Sequence, residues 1–572
     1  MTMVRSRAWT GIALGAVVAA LALRLYDLDL RSVSHPEVYV PGIPLPPIHS
    51  VPPPRLNWSE TLSMHFHDEP HPMGWYLAMF LWTGLAGVSE WALRLPSAVL
   101  GAASVWLAFV LGRRAYGAPA GALAASLLAL HGFHLFLSQS ARMYAAGAFF
   151  GLLSTALLLA FVYGSGRRGL TGAGYVLSVV ATAGSVEFVW PLLGIQIVWA
   201  TLALPMQPFR WGDLVRARFS GVHPAIQLQA VAVMLSAPEL LHSVYRARHG
   251  AVEQAAPEFL REYLTFGFLF ATDRNAMPAL AIPMAAAVAL LVAGLGLVAW
   301  GCVTRARQPS PAGGGENLPR WFPPGLALVV SGFMVWLARI ALHRNEALMV
   351  VSAGPILALW LPAAAQALGH GLSRSALFVR WRAQTAGPRL LVILLGLVAP
   401  LVLFVLSAKV AILASRAFLI FVPYLVILVA GAAAGIGARL PRLGATVALI
   451  GAFAASVPYS FAKPGSPRDY KSVVAAMMPY YRPDDLILVL DKSWTEAPLY
   501  YYLPEARYVF ADYEAALQGN PDARVWLVTW PFEDMPVVND DRRQALAAYR
   551  REQHVEALRA SAELFLPPGY GG

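Results

Sequence analysis

Long apolar stretches recur along almost the whole chain of 572 residues, and they restrict its fold more than any other feature. A helix that crosses a bilayer needs about 20 predominantly apolar residues. The mean hydropathy of +0.56 and a charged fraction of only 13% fit many such helices. We therefore predict an all-α polytopic membrane protein. Thirteen spans are predicted, at about residues 8–24, 94–112, 119–137, 143–163, 172–185, 188–204, 225–241, 279–300, 323–340, 346–366, 389–407, 417–436 and 443–461.

The arginines are distributed unevenly between the predicted loops. Arginine clusters fall in alternate loops, which by the positive-inside rule face the cytoplasm. Topology and contact with anionic lipids thus explain the net charge of +11, and nucleic acid is not an expected partner. We expect a multi-pass protein of the inner (plasma) membrane with a cytoplasmic N-terminus. The clusters are Arg5 and Arg7, Arg113–Arg114, Arg167–Arg168, Arg210–Arg218, Arg305–Arg307, Arg374–Arg382 and Arg439–Arg442.

The composition changes after the last predicted span. From Lys463 onward acidic residues become frequent, and a helix is predicted over Arg468–Tyr480. We predict a transmembrane domain over residues 1–462 and a small soluble α/β domain over residues 463–572. An odd number of spans places this second domain on the extracytoplasmic side. Short apolar runs typical of strands occur at Leu486–Leu490, Tyr508–Phe510 and Val525–Val528.

A polar, proline-rich segment from Ser34 to Pro72 lies between the first two strongly apolar stretches. It contains four acidic residues and five histidines. Acids and imidazoles beside a membrane are expensive to place and usually have a function. We therefore predict an extracytoplasmic active site in the first loop, residues 25–93. The longer loop 242–278 on the same side is a candidate lid.

The residues just after this polar segment are apolar and aromatic. Residues 73–88 are predicted to form a helix that lies at the membrane interface, with Trp75, Tyr76 and Trp82 at headgroup level. Arg94 opens the next span. Its guanidinium is expected to reach the headgroups while its aliphatic stem lies along apolar surface.

Several short strings occur in order along the chain. Together they resemble the GT-C glycosyltransferases, in particular the bacterial relatives of protein O-mannosyltransferases and of the aminoarabinose transferase that acts on lipid A. Four strings lie within about residues 20–160, a fifth lies near the end of the membrane part, and the matching topology extends the resemblance over the whole chain. They are Ser34-His35-Pro36-Glu37, Asp68-Glu69-Pro70-His71-Pro72 leading into Trp75-Tyr76, Ala92-Leu93-Arg94-Leu95-Pro96-Ser97, Ser138-Gln139-Ser140-Ala141-Arg142-Met143-Tyr144, and Ser415-Arg416-Ala417-Phe418 running to Pro423.

The resemblance implies transfer of a sugar from a polyprenyl-phosphate donor to an acceptor on the extracytoplasmic side. The acceptor would be a protein, a lipid or a glycan. A single displacement would invert the anomeric carbon, without a cofactor or a metal. Such a transfer needs a carboxylate that takes the proton of the acceptor and cations that stabilise the departing phosphate.

Two carboxylates are candidates for the base. Family members usually carry an Asp in the first string, where this chain has Pro36, so the role falls to Glu37 or to Asp68. A second departure is Ser140, which stands where the family usually has Glu.

Three cations are candidates for binding the donor phosphate: His71, Arg142 and Arg416. Arginine suits phosphate because its planar fork binds two oxygens and stays charged near lipid. Three further residues are candidates for lining the cavity, namely Glu69, Tyr144 and Glu187.

Three alternatives remain open. A transporter or flippase for a lipid-linked sugar would share the topology and the basic lipid site, but transporters usually show broken helices and charges in mid-membrane. A non-catalytic subunit that binds sugar-lipids is compatible with the two departures from the family strings. A zinc site built from His65, His67, His71 and Asp68 is disfavoured, because Pro70 interrupts the helix that would align the histidines.

Overall fold

A computed structural model describes residues 2–34, 37, 38, 40, 71–205, 222–249, 281–307, 387–402, 415–461, 469–489, 497–510, 512–529, 541–557 and 560–570, with single residues between 361 and 382. Its longer elements before residue 462 are helices. They are α1 (Thr2–Leu25), α2 (Met73–Ala86), α3 (Glu90–Tyr116), α4 (Ala118–Leu130), α5 (Gly132–Ser138), α6 (Tyr144–Tyr163), α7 (Arg168–Ala183), α8 (Val189–Ala203), α9 (Pro224–His249), α10 (Ala281–Arg307), α11 (Pro388–Ile393, followed by a π-helical turn at Leu394–Val398), α12 (Val422–Ala434) and α13 (Arg439–Phe461).

The predicted spans that the structure describes overlap these helices, although α9 and α10 continue past the predicted ends at residues 241 and 300. Within the described ranges, four helices are long and apolar enough to cross a membrane, or five if α4 and α5 form one bent span. Several shorter apolar helices accompany them. The chain is therefore a mostly helical membrane protein. The total of thirteen spans stays a prediction, because residues 323–340 and 346–360 lie outside the described ranges.

The third predicted span is broken between α4 and α5, which meet at a bend of 60°. The break is at His131, whose backbone N donates to the Leu128 oxygen at 3.4 Å. The Arg24 guanidinium at the end of α1 donates to the Leu128 and Ala129 oxygens at 3.4 Å each, so these last carbonyl groups of α4 gain a partner from outside the helix. It also lies 2.9 Å from His134 Nδ1. The buried Arg24 therefore joins α1 to the bend.

The end of α1 is capped from the same region of the chain. Gln139, which follows α5, donates from Nε2 to the carbonyl oxygens of Tyr26 at 2.9 Å and of Arg24 at 3.3 Å. Gln139 is almost fully buried. Together with Arg24 it fixes the turn between α5 and α6 against the first helix. Sequence hydropathy gave no sign of this mutual capping.

Contacts between helix termini show which ends of the helices lie together. Arg389 at the start of α11 donates from Nε to the Ala115 oxygen at the end of α3, at 2.7 Å. Trp199 near the end of α8 donates to the Gly387 oxygen at 3.3 Å. We call this the arginine end of the bundle, and its described arginines include Arg7, Arg113, Arg114, Arg167, Arg168, Arg389, Arg439 and Arg442.

The opposite end of the bundle holds the acidic residues. The end of α1, the start of α3 and the start of α6 meet there. We call it the carboxylate end. All Asp and Glu residues that the structure describes before residue 462 are at this end, namely Asp27, Asp29, Glu37, Glu90, Glu187 and Glu239.

Beyond residue 469 the chain forms a small α/β unit with a five-stranded sheet of order β2-β1-β3-β5-β4. The first three strands are parallel, and β5 and β4 add an antiparallel edge. The helix and three strands predicted from sequence are present, but β4 and β5 were not predicted. The elements are α14 (Tyr470–Met477), β1 (Leu486–Leu488), α15 (Ala497–Tyr502), β2 (Arg507–Val509), α16 (Tyr513–Gln518), β3 (Val525–Thr529), α17 (Asp541–Ala545), β4 (Arg550–Ala557) and β5 (Ala560–Leu566).

This unit is docked on the carboxylate end of the bundle through polar contacts at the start of α3. Lys471 Nζ lies 2.5 Å from Glu90 Oε2, and the Tyr502 hydroxyl donates to Glu90 Oε1. The same hydroxyl accepts from the Val33 backbone N at 2.7 Å. The C-terminal unit therefore contacts the first loop directly. The boundary at residue 463 stays a prediction, because residues 462–468 lie outside the described ranges.

Candidate active site

A buried ion pair links the first loop to helix α3. Glu37 is 3% exposed and Arg94 is 2% exposed, with Nε–Oε1 at 3.0 Å and Nη2–Oε2 at 3.1 Å. Arg94 also donates to the carbonyl oxygens of Leu28 and Arg31, both at 2.9 Å, and of Ser32 at 3.2 Å. The expectation that Arg94 reaches the headgroups is wrong. Its guanidinium points into the protein because five acceptors there satisfy it.

The Glu37 carboxylate has further donors on its other side. The Ser34 backbone N and Oγ donate to Oε2 at 2.9 and 3.0 Å, and the Ala141 backbone N donates to Oε1 at 2.8 Å. Burial alone would raise the pKa of Glu37, but the Arg94 charge and these hydrogen bonds lower it to about 2. Glu37 therefore stays ionised and fixes the first loop beside Arg142.

This ion pair should make folding stability depend on pH. The native pKa of Glu37, about 2, lies below the ordinary value of 4.5. Its contribution to stability should therefore be complete above pH 4.5 and be lost as the pH falls toward 2. We expect the gap in unfolding temperature between wild type and Glu37→Gln, measured in detergent, to narrow through this window. A gap that stays constant with pH would contradict this assignment.

Arg142 lies in the turn before α6 and is 6% exposed. Its Nη1 donates to the Tyr76 hydroxyl at 2.6 Å, and its guanidinium carbon is 5.9 Å from the centroid of that ring. Its backbone oxygen accepts from Ser97 Oγ at 3.1 Å. Both the side chain and the backbone of Arg142 are thus held in place, which orients the guanidinium fork.

Helix α2 packs into the protein through its aromatic residues. Trp75 and Tyr76 are 5% and 1% exposed, and Trp75 Nε1 donates to the Ala141 oxygen at 3.0 Å. These two rings therefore pack inside the protein, and their depth at the headgroup level stays a prediction. Their polar atoms find partners on the turn that carries Arg142, which explains why they face inward.

The start of α2 is surrounded by two further carboxylates. The Met73 backbone N donates to both oxygens of Glu239, at 3.2 and 3.3 Å, so Glu239 caps this helix from α9. His71 Nδ1 lies 3.4 Å from Glu187 Oε1. The polar groups at the start of α2 thus come from three separate segments.

A close backbone contact fixes α2 against the end of α7. A Cβ atom at Gly74 would lie 2.8 Å from the Gly184 Cα, and the Trp75 backbone N donates to the Gly184 oxygen at 2.7 Å. Only glycine at position 74 allows this approach without a shift of the backbone. This contact brings the turn that carries Glu187 next to His71.

Substitution at Gly74 should therefore destabilise the protein. We expect Gly74→Ala to cost about 1–3 kcal/mol of unfolding free energy, because the added methyl overlaps backbone that cannot move alone. Gly84→Ala on the same helix is the matched control, since its Cβ would meet nothing within 4 Å. The control should be neutral or stabilising by about 0.5–1 kcal/mol. Chemical denaturation in micelles measures both, and equal effects would refute the packing argument.

Five of the predicted site residues are described with their side chains. Glu37, His71, Arg142 and Glu187 lie at the carboxylate end and are connected through the contacts above, while Tyr144 is buried at the start of α6. Arg416 lies in a 3₁₀ turn, Ser415–Ile420, and its side chain is outside what the structure describes. Asp68 and Glu69 lie outside the described residues.

Sequence reasoning missed Glu239. It was included in the predicted span 225–241 as part of an apolar run, and α9 continues beyond it to His249, into the predicted loop 242–278. The sequence signal for its function was an acidic residue near the end of an apolar stretch.

Within the described residues, no group of three His, Cys, Asp or Glu side chains is arranged to hold a metal ion.

A comparison with known protein families finds a match over part of the chain. Residues 68–198 match the family described as dolichyl-phosphate-mannose-protein mannosyltransferase. This match confirms the resemblance to the GT-C glycosyltransferases over the segment that carries His71, Arg142, Tyr144 and Glu187. No curated protein sequence matches the chain at a significant level.

Two solved structures are also similar. ArnT from Cupriavidus metallidurans has a TM-score of 0.42 and 14% identity, over 97% of this chain and 98% of that chain. The archaeal oligosaccharyltransferase AglB from Archaeoglobus fulgidus has a TM-score of 0.42 and 11% identity, over 98% of this chain and 74% of that chain.

Proposed function

We propose that this chain is an integral membrane glycosyltransferase that moves a sugar from a polyprenyl-phosphate donor to an acceptor on the extracytoplasmic side. One observation carries the proposal. The segment that matches the mannosyltransferase family supplies His71, Arg142 and Glu187, and these residues converge at one end of the helix bundle. The family description supports a lipid-phosphate donor.

The separation of charges between the two ends of the bundle supports an extracytoplasmic position of this site. The described acids of the membrane part gather at the carboxylate end, whereas Arg113, Arg114, Arg439 and Arg442 lie at the other end. The positive-inside rule then places the arginine end in the cytoplasm. The carboxylate end, together with the docked C-terminal α/β unit over the proposed domain 463–572, faces outward.

The donor phosphate is assigned to cations of the carboxylate end. Arg142 suits this role because its guanidinium is buried and already oriented by Tyr76, so little conformational entropy is lost on binding. His71, held beside Glu187, is the second proposed contact. Arg416 is the third, on the basis of its sequence string.

The base is assigned to Asp68 rather than Glu37. The oxygens of Glu37 already accept five hydrogen bonds from Arg94, Ser34 and Ala141, and its low pKa makes it a poor proton acceptor. In the proposed reaction the acceptor oxygen attacks the anomeric carbon while its proton passes to Asp68. The bond from that carbon to the phosphate oxygen breaks, and polyprenyl phosphate leaves.

The direct test is turnover by purified protein in micelles, with radiolabelled polyprenyl-phosphate sugars as donors and membrane extract as acceptor. The proposal expects release of polyprenyl phosphate and transfer of label to the extract. Donor that binds without any transfer would favour the non-catalytic subunit. Donor that crosses the bilayer of proteoliposomes without being cleaved would favour a flippase.

Within this assay, Arg142→Lys should weaken the donor interaction. Lysine keeps the charge but loses the planar fork and the bond geometry to Tyr76. We expect kcat/KM for the donor to fall about 10–100-fold, as for the loss of one charge-assisted hydrogen bond of about 1.5–3 kcal/mol. Arg168→Lys at the opposite end is the matched control. Unchanged kinetics in Arg142→Lys would remove this residue from the proposed site.

A further inference from the structure

A cavity lies at the arginine end of the bundle, far from the candidate active site. Its volume is about 1090 Å³. Its lining includes Tyr116, Trp300, Arg389, Leu397 and Arg442. Its walls come from the ends of α3 and α12, the starts of α11 and α13, and from α10. The proposed sugar transfer makes no use of this cavity.

The walls of the cavity are mostly apolar and face the membrane. Trp300 and Leu397 belong to the lining and are 50% and 53% exposed. Exposed apolar side chains on helices of a membrane protein are in contact with lipid, and tryptophan favours the level of the headgroups. The cavity is therefore accessible to a lipid from the side of the bilayer.

Two guanidinium groups give the cavity its charge. Arg389 is held at the wall by its Nε bond to the Ala115 oxygen at 2.7 Å and by the Tyr116 ring, whose centroid is 5.7 Å from its guanidinium carbon. Arg442 lies on the facing helix α13. Among the described lining residues there is no Asp or Glu. An anion in the cavity would therefore meet two positive charges and no described negative one.

A second apolar cavity of about 730 Å³ adjoins the first and shares Arg442. It lies between α1, α4 and α13 and is lined by Ile12, Leu123 and Leu443, among others. Arg442 thus has a mostly apolar recess on each side, and Arg439 adds a further positive charge to the second one. A lipid with two acyl chains attached to one phosphate headgroup matches this arrangement better than a single polyprenyl chain does.

We propose that the arginine end binds the phosphate headgroup of an anionic phospholipid between Arg389 and Arg442, with its acyl chains along the two apolar recesses. Basic pockets between transmembrane helices are suited to such headgroups. The site is independent of the proposed sugar transfer. In the orientation given above it binds a lipid of the cytoplasmic leaflet.

The test uses full-length protein, delipidated in micelles and then mixed with equal amounts of phosphatidylglycerol and phosphatidylcholine. Native mass spectrometry counts each lipid that stays bound. The proposal expects wild type to retain phosphatidylglycerol preferentially. Arg389→Gln and Arg442→Gln should each lower its affinity about fivefold, and the double variant about twenty-five-fold, as expected for single cations beside an anionic lipid.

Two control variants make the result decisive. Arg168→Gln removes an exposed arginine of the same end that does not line the cavity, and it should bind like wild type. Arg442→Lys keeps the charge and should retain most of the binding, which separates a charge effect from misfolding. Equal retention of the two lipids, or equal affinity in the Gln variants and wild type, would overturn the proposal. Displacement of phosphatidylglycerol by inorganic phosphate or by polyprenyl phosphate at lower concentration would also overturn it.

Discussion

Arg94→Leu should destabilise this protein by about 3–5 kcal/mol, the cost of leaving one partner of a buried ion pair without the other. The substitution would leave the Glu37 carboxylate buried at 3% exposure without its cation. It would also remove the donor to the carbonyl oxygens of Leu28, Arg31 and Ser32. Chemical denaturation in micelles should show an earlier midpoint. Arg168→Leu, an exposed arginine, should stay within about 0.5 kcal/mol of wild type.

A double variant separates the ion pair from simple loss of packing. Arg94→Leu combined with Glu37→Leu removes both charges, and replacement of a buried pair by apolar groups is often neutral. We expect the double variant to recover much of the stability that the single variant loses. A double variant as unstable as the sum of both single changes would show that the two residues act separately.

The second large effect concerns the proposed base. Asp68→Asn should lower the rate of sugar transfer by about 10²–10⁴-fold, the usual contribution of a general base. Asparagine has nearly the same shape but cannot accept the proton of the acceptor. Donor binding should change by less than threefold, about 0.6 kcal/mol, because neutral substitution removes no phosphate contact. Single-turnover kinetics and donor titration measure the two quantities separately.

The comparison with Glu37→Gln decides between the two carboxylates. Asp29→Asn serves as the control for a neutralised acid in the same segment, since Asp29 is exposed and only its backbone oxygen contacts Lys471. If Glu37→Gln keeps its unfolding temperature but loses transfer, while Asp68→Asn transfers normally, then the assignment of the base to Asp68 is wrong. We expect the opposite: Asp68→Asn loses transfer, whereas Glu37→Gln transfers sugar but unfolds at a lower temperature.

The membrane helices were predictable because their signal is local. A run of apolar residues determines a span whatever its neighbours are, so most helices from α3 to α13 lie close to the predicted positions. The exceptions are α9 and α10, which continue to His249 and Arg307, past the predicted ends at 241 and 300. The break at His131 was not predicted, because apolar residues continue on both sides of it. Its stability depends on Arg24, more than a hundred positions earlier in the chain.

The sequence analysis also missed two strands of the C-terminal unit, β4 and β5. β4 is a charged strand with exposed residues at most positions, so its sequence lacks an apolar face. Its neighbour β5 contains Glu563, which is buried and paired with Arg543 and Arg551. Arg551 lies on the paired strand β4 and Arg543 on helix α17, and hydropathy reveals neither contact.

The sequence by itself determined that this chain enters a membrane as helices, that its charges separate between two ends, and that its acids and histidines concentrate in the first loop. These properties follow from composition within short windows. Only the tertiary structure decided what each polar group does. It pairs the ionised Glu37 with Arg94. It also places Tyr76 where it orients Arg142, and Glu239 where it caps helix α2. Each of these contacts joins residues that are far apart in the chain. A polar group in a membrane protein must find its partner wherever the fold brings one near.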